Sequence, residues 1–257
     1  MNEAFIFDSI RSPRGKNKNG SLSQLTPVDL LSKLMLALEK KYQLDTSLID
    51  DVIIGCVMPV NDQGANIGKI AAQYSGWDVD IPSMQINRCC GSGLEAVNLA
   101  AMKIRSGWED LIVSGGIECM SRVPIGADGG PMAFETKVAS RTNYVPQGIG
   151  ADLIATIEGF TRQDLDAYAL MSQERAYQAI KNKRFCAQAY LGQIASRIYS
   201  QRHRLRSRLS IATAQPLLLK VIVVVGKLPS ITRFYVGLRA HAPVLGGSRL
   251  DGGLAGV

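Results

Sequence analysis

The residue with most chemistry to offer is Cys90, within Met84-Gln85-Ile86-Asn87-Arg88-Cys89-Cys90-Gly91-Ser92-Gly93-Leu94-Glu95-Ala96. The front of this stretch reads as a short buried strand. Its back opens an amphipathic helix, with Leu94, Val97, Ala101 and Ile104 at three- and four-residue spacing. Gly91 and Gly93 allow a sharp corner between the two. A thiol on that corner faces the free N–H groups and positive end of the helix, which favour thiolate over thiol. The thiolate is the attacking species in covalent acyl transfer. A strand-to-helix elbow also lifts the side chain out of the core. The competing reading of Cys90 is a small buried hydrophobe, the usual state of a lone cysteine. Cys89 precedes the corner, and its side chain is assigned to packing.

The elements that must hold this corner follow in order. The apolar run Ala4-Phe5-Ile6-Phe7 suits a strand buried on both faces. Thr26-Pro27-Val28-Asp29 starts a helix: Thr26 caps it, Pro27 takes the first helical position, and Asp29 suits the positive end. Leu30, Leu31, Leu34, Met35 and Leu38 are its core stripe. Asp50-Asp51 is read as a solvated turn before the strand Val52-Ile53-Ile54-Gly55-Cys56-Val57. Asn61-Asp62-Gln63-Gly64 turns into a helix carrying Ile67, Ile70, Ala71 and Tyr74 on one side. The helix after Cys90 can end at Gly107, and Leu111-Ile112-Val113-Ser114 is a further buried strand. Alternating strand and helix predicts an α/β fold with a mostly parallel sheet and right-handed crossovers.

From 121 to 148 the pattern loosens into a loop-rich stretch. A helix is expected over 151–157. A longer one, capped by Thr161-Arg162-Gln163-Asp164, is expected to present Leu165, Tyr168, Ala169, Ser172, Ala176 and Ile180 on one face. Met120, Met132 and Met171 have the character of an acyl-pocket lining, but ordinary core packing is the reading preferred.

Charge divides the chain. The last 72 of its 257 residues hold ten of the 29 Lys and Arg but one of the 22 Asp and Glu, leaving nineteen basic and twenty-one acidic residues in the first 185. The net charge of +7 therefore belongs to the ending, where five arginines crowd 196–208. The run 217–225 could be a strand, but nothing nearby pairs with it. The ending reads as a basic tail with the composition of a replaced terminus. Such arginine clusters can engage nucleic acid by charge alone, but no groove-reading or aromatic-interleaved motif accompanies them. Five cysteines without zinc-ligand spacing suggest a reducing compartment. Met1-Asn2-Glu3 is not the basic start of a secretory leader, and no apolar run is long enough to span a bilayer.

Asn87-Arg88-Cys89-Cys90-Gly91-Ser92-Gly93-Leu94-Glu95-Ala96 resembles the nucleophile motif of the thiolases, the acetyl-CoA acyltransferases. In that family the cysteine three residues after the Asn carries the acyl group, a position that falls on Cys90. Asp8-Ser9-Ile10-Arg11-Ser12-Pro13-Arg14-Gly15 resembles the family's N-terminal strand and turn, and Gly115-Gly116-Ile117-Glu118-Cys119-Met120-Ser121 the segment leading into its loop domain. The likeness runs through about residue 185.

It implies the N-terminal βαβαβ half of a layered α/β/α/β/α architecture over 1–120, the start of a coenzyme A-covering loop domain over 121–185, and an atypical tail over 186–257. It further implies acyl transfer between acyl-CoA thioesters through a cysteine thioester, in thiolysis or condensation, as in fatty acid β-oxidation in the cytoplasm. Coenzyme A and acyl-CoA would be substrates, with no permanently bound cofactor and no metal. Intact members form homodimers or homotetramers, with no membrane partner. The family's Gly-His-Pro base motif and second Cys-x-Gly-x-Gly motif are not in this sequence. The two histidines, His203 and His241, lie in other contexts, as does Cys186. Little or no turnover is expected of this chain alone. Two alternatives are a ketoacyl synthase-like condensing enzyme, which carries a different nucleophile context, and a non-catalytic half-fold that binds a partner through its basic tail.

Overall fold

The structure is a computed structural model and describes residues 2–13, 15, 17, 19–182, 184 and 221–226. The chain divides into two compact units, one built on residues 1–125 and later segments, the other beginning at residue 126.

The first unit is a five-stranded sheet covered on both faces. Its strands are β1 (Phe5–Arg11), β2 (Asp51–Gly55), β3 (Ser83–Ile86), β4 (Leu111–Gly116) and β5 (Val221–Gly226), in the order β1-β5-β4-β2-β3. β2 runs parallel to β3 and to β4. The connecting helices are α1 (Pro27–Tyr42), α2 (Ile67–Tyr74) and α3 (Ser92–Ser106). Successive residues of a strand face opposite sides of a sheet, and the core divides accordingly. Val52, Ile54, Leu111 and Val113 pack with the apolar stripes of α1 and α2. Ile53 and Ile112 pack on the other side with Ala96, Ala100 and Ile104 of α3.

Local chemistry accounts for the ends of the helices. The Thr26 hydroxyl accepts from the Asp29 N–H at 3.1 Å while the Asp29 carboxylate accepts from the Thr26 N–H at 3.1 Å, a closed capping box. α3 stops at Gly107, whose φ of +83° is open to glycine without a Cβ penalty. All five residues expected in the α1 stripe are buried.

Four expectations are corrected. The 217–225 run has partners after all: β5 lies antiparallel between β1 and β4. The apolar sequence Val221-Ile222-Val223-Val224-Val225 suits such a central strand. β3 is an edge strand and half-exposed rather than buried. Asp51 is no solvated turn. It is 3% exposed, and its carboxylate accepts from Lys103 Nζ at 2.5 Å, which also bonds Glu109 at 2.6 Å. The buried stripe of α3 is Ser92, Ala96, Ala100 and Ile104, while Leu94 is 55% exposed. At the start of that face Ser92 and Gly93 sit against the backbone of Gly55 and Gly116, and further along Ala96, Ala100 and Ile104 pack with Ile53 and Ile112.

The described part of the second unit holds α4 (Pro131–Phe134), α5 (Thr136–Arg141), α6 (Gln147–Glu158) and α7 (Arg162–Lys181). Thr161 and Asp164 form the expected capping box on α7. None of its described residues is buried, so the α7 face from Leu165 to Ile180 and the side chains of Met132 and Met171 are not core. Among the described residues no helix is long and apolar enough to cross a membrane.

Candidate functional site

The chain leaves β3 at Ile86 and enters α3 at Ser92, and Asn87 to Gly91 make the corner between them. In a sheet of this kind the crevice beyond the carboxyl ends of the strands, where the connections diverge to opposite faces, is where ligands bind. Here β2 connects through α2 to β3 on one face, and β3 returns through α3 to β4 on the other. The corner stands at that divergence.

Its geometry is fixed by short-range bonds. Gly91 N donates to Arg88 O at 3.0 Å, and Ser92 N to Cys89 O at 3.0 Å. The Ser92 hydroxyl accepts from Arg88 N at 2.9 Å and donates to Cys89 O at 2.5 Å. Cys89 N donates to the Asn87 side-chain oxygen at 2.9 Å, and Asn87 Nδ2 donates to Val57 O at 3.0 Å. Gly91 is the N-terminal residue flanking α3 and offers no side-chain cap. The first turn of the helix thus keeps amide dipoles directed toward the corner.

Cys90 is exposed, consistent with an elbow that lifts its side chain from the core. Cys89 is exposed too, so its assignment to packing does not hold. It is also the residue that takes the left-handed turn, with φ at +46°. A non-glycine residue rarely sits there, and such positions concentrate at functional corners. Gly91 has an ordinary negative φ. The sharp bend is therefore made by Cys89 rather than by Gly91, and the close packing falls on the strand glycines Gly55 and Gly116. A Cβ on Gly55 would fall on the carbonyl group of Ser92, and one on Gly116 would come within 3.3 Å of Gly93 Cα. Three glycines on β2, β4 and α3 let the helix start rest on bare backbone.

The other cysteines differ in kind. Cys56 and Cys119 are buried. Burial, with the Glu118 carboxylate adding to it, pushes the Cys56 thiol up to about 12. Cys186, His203 and His241 lie outside the described residues. We expect iodoacetamide at pH 8 to alkylate Cys89 and Cys90 at least tenfold faster than Cys56 and Cys119, as read by peptide mass mapping. A Cys56 that reacts as fast as the corner pair would contradict the packing described.

Sequence reasoning missed Gln63 and Glu118. Gln63 is fully buried, and both atoms of its carboxamide are used. Nε2 donates to Met58 O at 3.0 Å and to Glu118 Oε1 at 2.6 Å, and Oε1 accepts from Cys119 N at 2.5 Å. Glu118 Oε2 accepts from Val57 N at 2.9 Å. An isolated Gln in a turn gives no sequence signal of this. No group of three or more His, Cys, Asp or Glu side chains among the described residues could hold a metal. A depression lined by Asn2, Met102, Arg105 and Ser106 lies at the opposite end of α3 from the corner.

With this geometry in view, the chain belongs to the thiolase family: residues 4–189 match the family described as "Thiolase, N-terminal domain". The α/β fold described above is thiolase-like. A 3-ketoacyl-CoA thiolase of Shewanella baltica is 36% identical over 193 residues, covering 74% of this chain and 49% of that protein. Another from Shewanella loihica is 37% identical over 188 residues, covering 72% and 48%. The steroid 3-ketoacyl-CoA thiolase FadA6 of Mycobacterium tuberculosis is 32% identical over 196 residues, again 72% and 48%. The chain spans about half the length of the curated relatives it matches.

Proposed function

We propose that this chain carries the acyl-accepting step of a thiolase-type acyl transfer, with Cys90 as the acyl carrier and an acyl-CoA or 3-ketoacyl-CoA as donor. The observation that bears most weight is an exposed thiol at the start of α3, on a corner tied down by its own backbone. The Cys90 thiolate attacks the thioester carbonyl carbon. The carbonyl electron pair moves onto oxygen and returns as the carbon–sulfur bond to coenzyme A breaks. Cys90 is left as a thioester, and the coenzyme A thiolate takes a proton. With a 3-ketoacyl donor the attack falls on the keto carbon, and the bond that breaks is carbon–carbon, releasing acetyl-CoA after protonation.

Oxyanion stabilisation in such a step needs preorganised N–H donors. The amides of Cys89, Gly91 and Ser92 are committed to the turn. The Cys90 amide is the donor we assign to the oxyanion.

The second half-reaction needs a base for the incoming thiol or for the carbon acid. The family's His and second Cys motifs would supply it, and neither is in these 257 residues. We therefore propose acylation without sustained turnover by this chain. Free cysteines at the four described positions are in keeping with a reducing compartment, which we take to be the cytoplasm. The test is the release of coenzyme A from acetyl-CoA, followed by chromatography. About one equivalent per chain and then arrest is expected. No release would overturn the acyl-carrier assignment, and continuous release would overturn the claim of arrested turnover.

A further inference from the structure

We infer that Gln63 and Glu118 are positioning residues for the Cys90 corner, acting on it through Val57 and Asn87. This rests on the reading of Cys90 as the acyl carrier. A continuous path of hydrogen bonds links them: Gln63 Nε2 to Glu118 Oε1 at 2.6 Å, Val57 N to Glu118 Oε2 at 2.9 Å, Asn87 Nδ2 to Val57 O at 3.0 Å, and Cys89 N to Asn87 Oδ1 at 2.9 Å. A side bond ties β3 to the same group, since Gln85 Nε2 donates to Gln63 O at 2.9 Å while Gln85 Oε1 accepts from Ile67 N at 2.9 Å.

The path joins the segments that follow β2 and β4 to the one that follows β3. Sheet pairing sets the strands but does not reach Val57, Asn87 or Glu118, which all lie beyond the strand ends. Something else must set the height of the corner above the sheet. A fully buried carboxamide with both ends satisfied is suited to that, because a shift of Met58 or Cys119 against it breaks a bond that no water replaces. Glu118 is the junction. It holds the backbone next to β2 with one oxygen and Gln63 with the other.

The donor and acceptor pattern makes a sharp test. In Glu118→Gln the new NH2 must face either the Val57 N–H or the Gln63 NH2, donor against donor. In the double variant Gln63→Glu with Glu118→Gln, the amide and the carboxylate change places. The carboxamide now at position 118 accepts from Val57 N–H and donates to the carboxylate at position 63, and that carboxylate accepts from Cys119 N–H. Met58 O and the Cys56 sulfur lose the donor they share in Gln63 Nε2. Asn87→Ala removes the last two bonds of the path at an exposed position and leaves the buried part intact.

The full chain and these three variants are compared by amide hydrogen exchange, by the rate of Cys90 acylation from acetoacetyl-CoA, and by Cys90 alkylation with iodoacetamide. In Glu118→Gln and Asn87→Ala, exchange at residues 87–92 is expected to quicken at least tenfold. Exchange at 52–54 and 112–114 should stay unchanged. Acylation should slow at least tenfold, while alkylation, which needs no oriented carbonyl, should stay within twofold. The double variant should recover most of both losses. The inference is overturned if exchange at the corner is unmoved, if corner and strand exchange rise together, if acylation and alkylation fall together, or if the double variant recovers nothing. Should the unmodified chain not acylate at all, the acyl-carrier reading fails, and the exchange comparison alone decides whether the path holds the corner.

Discussion

Gly55→Ala is expected to destabilise the first unit by about 3 kcal/mol or more and to dislodge the Cys90 corner with it. The added Cβ would land on the carbonyl group of Ser92 and 2.6 Å from Gly93 N, the opening residues of α3. Backbone cannot swing aside as a side-chain tip can, so either α3 lifts off the sheet or β2 parts from its neighbours. Both responses strike the central strands, because Gly55 pairs with Ile86 of β3 and with Gly116 of β4. Against a typical total stability of about 5–15 kcal/mol, that loss brings the fold near its limit. Gly116→Ala should be milder, about 1 kcal/mol, since its nearest contacts would be 3.2 and 3.3 Å and a few tenths of an ångström of give would relieve them. Gly148→Ala, within α6 and facing open space, should instead favour its helix by a few tenths to about 1 kcal/mol. Urea unfolding of the three variants gives the order directly. A Gly55→Ala protein as stable as the parent would mean that α3 does not rest on β2 as described.

Lys103→Met is expected to cost about 2–3 kcal/mol, short of the ~3–5 kcal/mol for a fully buried ion pair because Lys103 and Glu109 are only partly buried. Lys103 Nζ bonds Asp51 Oδ2 and Glu109 Oε1, while among the described residues the other oxygens of the pair, Asp51 Oδ1 and Glu109 Oε2, are buried without a hydrogen-bond partner. Methionine fills the space of the lysine stem but leaves two carboxylates facing each other with no cation. Burial opposes the charge on Lys103, but the bonds and charges of Asp51 and Glu109 outweigh it and hold the lysine above its ordinary 10.5. A group raised in this way stabilises the fold at every pH below the ordinary lysine range, and the contribution fades as pH rises through the higher folded value. Burial raises Glu109 above its ordinary 4.5. In the variant the penalty should therefore shrink as pH falls toward the carboxylate range, because a protonated Glu109 needs no counter-charge. Asp51→Val combined with Lys103→Met should recover much of the loss. A penalty independent of pH between about 4 and 8 would count against this reading of the ion pair.

What the sequence disclosed follows the range of the forces involved. Thr26 with Asp29, Thr161 with Asp164, and the stop at Gly107 are decided within a few residues, and all three stand where local chemistry places them. The α1 stripe was legible because one wide apolar face on a 16-residue helix has a single reading. The position of β5 was not. Its partners, β1 and β4, lie more than a hundred residues earlier, and an apolar run carries no mark of the strands it joins. The α3 face differs from its pattern because Leu94 and Val97 outweigh alanines in any hydrophobicity count, whereas the sheet selects for closeness. Ser92 and Gly93 lie against the backbone of Gly55 and Gly116, Ala96 and Ala100 pack with Ile53 and Ile112, and Leu94 stands exposed. The motif marked out Cys90, yet nothing local told that Cys89 would take the left-handed bend and stand exposed. The bonds from Gln63 to Asn87 join three stretches far apart in sequence, around 57–63, 87 and 118, so no short window along the chain contains them.

The central claim is that one particular sulfur takes the acyl group. It is tested most directly by exposing the full chain to acetoacetyl-CoA, quenching in acid, and sequencing the peptide that spans residues 88–93 by tandem mass spectrometry. An acetyl group is expected on Cys90, removable by hydroxylamine as a thioester is, with Cys89 unmodified in the same peptide. An acetyl group on Cys89, an even spread over both thiols, or no acetyl group on either would contradict it.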